Sequence, residues 1–386
     1  MNDSGLIPNS FEAVQMLVDR FDERVDEALV LAPPSKEWVG NALARRGGPR
    51  CPVHLRELSY DIILRHGNAL ADLFLEYPDD LVFVDPYEWA VGYQAPGATE
   101  PINALRVLTQ EAEWTDEWGT RWGHTAGGIG ATPILHPLED WSQLDEYLAH
   151  QMPDPREPGR LAGASAKLKL HGPARYCAGN ISVGLFERLH CLRGMENALE
   201  DFYAAPRETE RLLNALTDYQ VEVIRAWGRL ANVDACLLTD DWGTQSALMI
   251  SPMMWRRFFA AHYRRLCDEA HRSGLLVVFH SCGHITEIIG DLIDAGVDVI
   301  DPLQPEAMDL GEVAREFGGK VAFCGGISDQ RLWSASPSQV RDEVRRMIDI
   351  FGAPHSNAYV IAPSNSLMPD TPLDNLEALF AACHDQ

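Results

Sequence analysis

The chain is expected to fold as an α/β protein, a (β/α)8 (TIM) barrel with an N-terminal helical extension and an insertion at its catalytic face. Three observations predict this. From about residue 235 short apolar runs alternate five times with amphipathic helical segments, three more strand-like runs lie upstream, and 386 residues suit one elaborated barrel as well as two or three smaller domains. Five late and three early runs make eight, the closure number of the barrel.

Residues 1–45 form the helical lead, with an amphipathic helix over 11–31 expected to pack outside the barrel, and the barrel itself is assigned to 46–386. Residues 52–55 (PVHL) read as a strand, 56–75 as a helix and 81–85 (LVFVD) as the next strand. The alternation then stops. A Trp- and Gly-rich stretch over about 86–170 reads as the insertion, carrying a β-hairpin or two, because unstructured connections of that length are rare unless functional. Residues 174–181 supply the third early strand. Five strand–helix units follow: 235–239 with 252–273, 275–280 with 285–295, 297–301 with 310–317, 320–324 with 337–351, and 359–361 with 372–384. Alternation at this spacing implies parallel pairing through right-handed crossovers.

Composition removes several function classes. With 57 acidic and 32 basic residues the net charge is −25, which repels phosphate backbones and anionic lipid, and the basic cluster at 45–50 (RRGGPR) is short and broken. Neither nucleic acid nor membrane is an expected partner. Apolar runs such as 275–279 fall far below the ~20 residues needed to cross a bilayer, and the N-terminus has no basic segment followed by an apolar core. A cytoplasmic protein is expected. Its 8 cysteines form no close CxxC pair, which suits reduced thiols with one or two available as ligands.

Barrel active sites lie at the carboxyl ends of the strands, and the polar residues there are Asp85, Asn180, Asp240, Asp241, His280, Cys282, Asp301, Cys324 and Asn365. His280 and Cys282 are two residues apart on an extended strand end, so imidazole and thiolate point the same way, and N and S donors suit zinc. The same pair also reads as a hydrogen-bonded histidine beside a buried thiol. Asp240 and Asp241 point to opposite sides: one suits acid–base or substrate contact and the other a cap, while two loop anchors are the alternative. Trp242 and Gln245 in the same loop join Asp85, Asn180 and Asp301 as substrate-binding candidates, although both Asp-Pro pairs also read as turn formers. Cys324 is either a third metal donor or a small core residue, and the tryptophans and tyrosines of 87–122 either cover an apolar substrate or pack the insertion.

Taken together these segments resemble the uroporphyrinogen decarboxylase superfamily, which also holds zinc-dependent cobalamin methyltransferases. The stretches that carry the likeness are RRGGPRCPVHL, GPARYCAGN, DDWGTQSALMISPMMWRRFFAAHY, VVFHSCGHITEIIGDLIDAGVDVIDPLQP, VAFCGGISDQRLW and IAPSNSLMPDTPLDNLEALFAAC, from about residue 45 to the C-terminus. The resemblance implies a (β/α)8 barrel. For the methyltransferase branch it implies a zinc site built from a His-x-Cys pair and a distant Cys ahead of a Pro-x-Thr-Pro segment. His280 and Cys282 match the pair, and Asn365 holds the third position, ahead of residues 369–372. Zinc in such a site lowers the pKa of a thiol or polarises an ether oxygen for methyl transfer to or from a corrinoid. The decarboxylase branch is cofactor-free and uses N-terminal arginines, an Asp, a Tyr and a late His. Arg45, Arg46 and Arg50 lie outside a matching motif, the late His position is again Asn365, and a chain this acidic is a poor host for an octa-acid.

The leading expectation is a zinc-dependent methyltransferase in which His280, Cys282 and Cys324 are the metal candidates, Asp241 a further donor, and Asp240, Asp241 and Asn365 the catalytic candidates. Its substrate is expected to be a small methoxylated or methylated molecule, its methyl acceptor a thiol or a corrinoid borne by a separate protein, and its assembly a homodimer. A metal-free decarboxylase of a small carboxylated ring, with Asp240 or Asp241 stabilising the intermediate, and a non-catalytic small-molecule-binding barrel are the alternatives.

Overall fold

Apolar side chains alternate along seven parallel strands in such a way that each face of the sheet has its own core. The computed structural model describes residues 11–86, 112–124, 131–157 and 159–386. Its strands are β1 (Leu81–Val84), β2 (Ala112–Thr115), β3 (Arg121–His124), β4 (Thr132–Leu135), β5 (Tyr176–Val183), β6 (Ala235–Thr239), β7 (Leu276–His280), β8 (Val299–Leu303), β9 (Ala322–Ile327) and β10 (Tyr359–Pro363). Seven pair in the order β1-β5-β6-β7-β8-β9-β10, every neighbour parallel. Val82, Cys177, Leu238, Val277, Ile300, Phe323 and Ile361 bury against the helices. Leu81, Ala178, Leu237, Val278, Val299, Ala322 and Val360 bury against one another on the other face, so the sheet curls round its own interior.

The five late units fold as strand and helix in turn. One departure is that the helix expected over 252–273 is two, Pro252–Phe258 and Ala260–Arg272, parted at Phe259. Start signals are local: Ser251, Asp309 and Ser336 each accept a hydrogen bond from a backbone amide of the first turn they precede.

The sheet counts seven strands where eight were expected. Residues 52–55 lie beside β10 but make one bridge, Val53 opposite Ile361, and the Asp80 amide donates to the Val53 carbonyl at 2.9 Å. The reason is chemical. Pro52 has no N–H to give, and the amides of Val53, Leu55 and Arg56 donate instead to the carboxylates of Asp80 and Asp79 at 2.9, 2.8 and 3.0 Å.

The insertion carries a second, antiparallel sheet in the order β2-β3-β4, in keeping with the expected hairpins. Trp114 stacks on Trp122 within it, and Trp118 meets Tyr219 of helix Pro206–Gly228 edge to face at 4.7 Å. Tyr87, Trp89 and Tyr93, expected among the lid aromatics, lie outside the described residues. At the N-terminus helix Phe11–Leu31 buries Val14, Val18, Phe21, Val25 and Leu29 on one stripe along helix Tyr60–Glu76. Arg56 ties it down through Asp22 at 2.7 Å and Asp26 at 2.9 Å. Helix Lys36–Leu43 adds Val39 and Leu43 to the interior cluster. No helix among the described residues is long and apolar enough to cross a membrane.

His54 is buried between the Asp79 carboxylate at 3.1 Å and that of Glu57 at 3.3 Å. Burial works against its charge, but the two carboxylates outweigh it and lift its pKa from 6.5 to about 10. A raised folded-state pKa stabilises fully below pH 6.5, and the contribution disappears as pH climbs through about 10. His54→Gln is expected to lower the unfolding free energy by about 3 kcal/mol at pH 6. Urea denaturation at a series of pH values should show the gap between parent and variant closing on the way to pH 10, and a gap independent of pH would refute the assignment.

Candidate metal centre

The β7–β8 register sets His280 beside Asp301, and in-register neighbours on parallel strands face the same way. His280 Nδ1 and Asp301 Oδ2 are accordingly 2.7 Å apart. That contact fixes the imidazole so that Nε2 points towards Cys282 Sγ, 3.5 Å away. Burial disfavours the imidazolium, yet Asp301 and Cys282 hold the pKa of His280 well above its ordinary value. For Asp301, burial is likewise overcome by His280, which keeps the carboxyl below its usual range.

Asp241 reaches this pair from the loop after β6. Its Oδ1 accepts the Cys282 N–H at 2.8 Å and lies 4.0 Å from His280 Nε2. The two loops meet backbone to backbone. A Cβ on Gly243 would overlap the His284 nitrogen, and one on Gly283, whose φ is +81°, would overlap Gly243. Ligand atoms of Asp241, His280 and Cys282 all lie within 4.8 Å of one another, an oxygen, a nitrogen and a sulfur converging on one point. That donor set fits a borderline ion such as zinc.

Several expected residues stand elsewhere. Asp240 is fully buried and its carboxylate accepts the amides of Phe186 and Glu187, both at 2.8 Å, and the Tyr263 hydroxyl. It therefore caps helix Leu185–Arg193, which corrects the catalytic assignment. Trp242 is no substrate contact either: wholly buried, it stacks on Phe186 at 4.5 Å and meets Trp255, Phe259 and Tyr263 edge to face. Gln245 is exposed and donates to the Glu306 carbonyl at 3.1 Å. Cys324 is 2% exposed in the interior cluster and interacts with Asp301, outside the three-donor group, which corrects its place as a ligand. Asp301, expected to bind substrate, is engaged with His280 Nδ1. Asp85, just after β1, and Asn180, within β5, pair with each other at 2.9 Å. Asn365 turns its Nδ2 to Cys282 Sγ at 3.8 Å while its Oδ1 accepts the Ser366 amide at 2.7 Å.

Glu187 was missed from the sequence. It stands in the first turn of helix Leu185–Arg193, half-buried, and burial together with the Asp241 carboxylate raises its pKa above the usual glutamate value. The signal was present, an acidic residue just past the carboxyl end of a predicted strand, but it fell beyond the expected strand end at residue 181.

The split between the two adjacent aspartates is directly measurable. Asp240→Ala strips acceptors from two helix amides and a buried tyrosine and is expected to cost about 3 kcal/mol of stability, whereas Asp241→Ala is expected to stay within about 0.5 kcal/mol of the parent. Thermal unfolding of both variants checks this, and equal losses would overturn it.

The family model described as uroporphyrinogen decarboxylase (URO-D) matches residues 188–386, just over half of the chain. Among curated relatives, a uroporphyrinogen decarboxylase of Methylibium petroleiphilum is 26% identical over 189 residues, covering 47% of this chain and 48% of the relative. A methylcobamide:CoM methyltransferase MtaA of Methanosarcina barkeri is 25% identical over 135 residues, covering 35% of this chain and 37% of the relative. The chain thus spans about half the length of the first of these relatives and less of the second. Among solved structures, a methyltransferase from Methanosarcina mazei superposes with a TM-score of 0.63 over 92% of this chain and 99% of that one at 16% identity, a likeness of fold. With a family match that covers Asp241, His280 and Cys282, the chain belongs to the uroporphyrinogen decarboxylase (URO-D) family.

Proposed function

We propose that the chain is a zinc-dependent methyltransferase of this family. The observation that carries the reading is the convergence of Asp241, His280 and Cys282 within 4.8 Å, with His280 held by Asp301. Zinc bound there would supply a Lewis acid, able to lower the pKa of a substrate thiol or to polarise an ether oxygen. The rest of the work falls to the chain. Asp301 keeps a proton on His280 Nδ1 and leaves Nε2 as donor atom; Asn365 offers an amide N–H to the Cys282 sulfur; Glu187 is a half-buried carboxylate next to Asp241 that can hold or release a proton. The substrate would be a small methylated or methoxylated molecule, and the methyl group would pass to or from a thiol or a corrinoid carried by a separate protein. A relative named as a methylcobamide:CoM methyltransferase supports that choice. Other relatives are named uroporphyrinogen decarboxylase, and they favour a second reading, a metal-free decarboxylase of a small carboxylated ring.

Metal analysis of protein purified without chelator separates the two readings. About one zinc per chain is expected, lost in His280→Ala and Cys282→Ala; a metal-free protein that releases carbon dioxide from a carboxylated ring would instead establish the decarboxylase. Asp301→Asn touches no metal directly, yet loss of the carboxylate behind His280 is expected to weaken zinc binding roughly 10- to 100-fold. Competition with a fluorescent zinc indicator measures this, and an unaltered affinity would count against the role given to Asp301.

A further inference from the structure

At the opposite end of the sheet from the metal-centre residues, a groove of about 510 Å³ opens before β1 and β5, lined by Ser35, Trp38, Arg50, Arg175, His384 and Gln386 together with Asp79 and Asp80. Arg175 is 1% exposed and forms no ion pair among the described residues. Its Nη1 donates to the Pro33 carbonyl at 2.6 Å and to Ser35 Oγ at 3.3 Å, with a longer contact of 3.5 Å to the Ala174 carbonyl. Among the described residues Nη2 makes no hydrogen bond and the buried Nε–H has no partner. Nε and Nη2 form one edge of the guanidinium, the edge that takes a carboxylate or phosphate with two parallel hydrogen bonds.

The nearby carboxylates do not fill this role. Asp80 gives its oxygens to Arg50, at 2.7 and 2.8 Å, and to the Val53 amide. Asp79 gives its own to the amides of Leu55 and Arg56 and to His54. With Glu57 also on His54, at 3.3 Å, each of these three carboxylates already has a cation in contact, whereas Arg175 has none at ion-pair distance among the described residues. A buried charge with no carboxylate in contact is costly, and a counter-ion bound beside it offsets that cost. Burial pushes the pKa of Arg175 below the usual arginine value, and the more distant charges of Asp80 and Asp79 offset only part of that. Arg50, held over the Trp38 ring at 5.0 Å, lines the same wall with its charge matched by Asp80.

We propose that this groove is a second ligand site, which binds a small oxyanion, carboxylate or phosphate, on the Nε–Nη2 edge of Arg175. The site is independent of the metal centre and of any reading of the reaction.

Calorimetric titration of the full-length protein, freed of metal and desalted, with inorganic phosphate at constant ionic strength tests it. Acetate in a parallel arm separates carboxylate from phosphate chemistry, and saturable binding of either at one site per chain is expected, in the millimolar range or tighter. Arg175→Lys keeps the charge but loses the fork and should weaken binding at least tenfold, while Cys282→Ala should leave it unchanged. Pro34→Glu, at an exposed position on the same groove, adds a competing carboxylate without entering the core and should weaken binding at least fivefold; it decides the matter if Arg175→Lys does not fold. Absence of saturable binding with both anions, binding indifferent to whichever groove variant folds, or binding lost in Cys282→Ala would overturn the proposal.

Discussion

The candidate centre depends on backbone pressed against backbone between the loops that follow β6 and β7. Gly243 and Gly283 meet with no room for a Cβ on either, and that closeness brings the Cys282 amide to Asp241 Oδ1 at 2.8 Å and the Trp242 amide to Ser281 Oγ at 2.9 Å. The direction of each side chain follows. Once Asp241 is drawn to the β7 loop, Asp240 must turn the other way, into the buried start of helix Leu185–Arg193, and Trp242 is driven into the aromatic layer beneath it. A larger residue at either glycine would part the loops and take the oxygen donor away from the nitrogen and the sulfur.

Much of the fold was legible because it rests on periodicity, and periodicity is local. Strand–helix alternation over 235–384, the hairpins of the insertion and the amphipathic stripe of helix Phe11–Leu31 all follow from the spacing of apolar residues. The missing eighth strand was not legible. The carboxylates that capture the amides of Val53, Leu55 and Arg56 come from Asp79 and Asp80, more than twenty residues on, and no apolar pattern records that competition. The site shows the same division. His280 and Cys282 were readable from their spacing of two, but a strand-end position could not tell Asp301, which holds a histidine, from a substrate ligand. Nor could it tell Trp242, sealed against four aromatic rings, from a substrate contact.

Net charge proved a poor guide to local charge. A chain of −25 nonetheless buries His54 and Arg175 and half-buries Arg50, and it does so by placing an Asp79–Asp80 doublet before β1 where both side chains face inward. Those two carboxylates take the place of a strand's ladder, balance a histidine inside the barrel wall and anchor an arginine outside it. Being committed to so many donors, they act on Arg175 only from a distance and give it no carboxylate in contact.

Asn365 sharpens the chemistry on the proposed reading. A backbone amide can only donate, so the Ser366 N–H must face the Asn365 oxygen, the one atom of that side chain able to bind a metal. What Asn365 turns to Cys282 is its N–H, which draws charge from the sulfur instead of adding a ligand. A third protein donor then has to be Asp241, whose Oδ1 is already shared with the Cys282 amide. An ion held by one imidazole, one thiolate and a shared carboxylate is bound less tightly than one held by two thiolates, and the carboxylate is its most easily displaced ligand. On that reading His280, pinned by Asp301, and Cys282 would be the firm ligands, and Asp241 would be the weaker oxygen donor beside them.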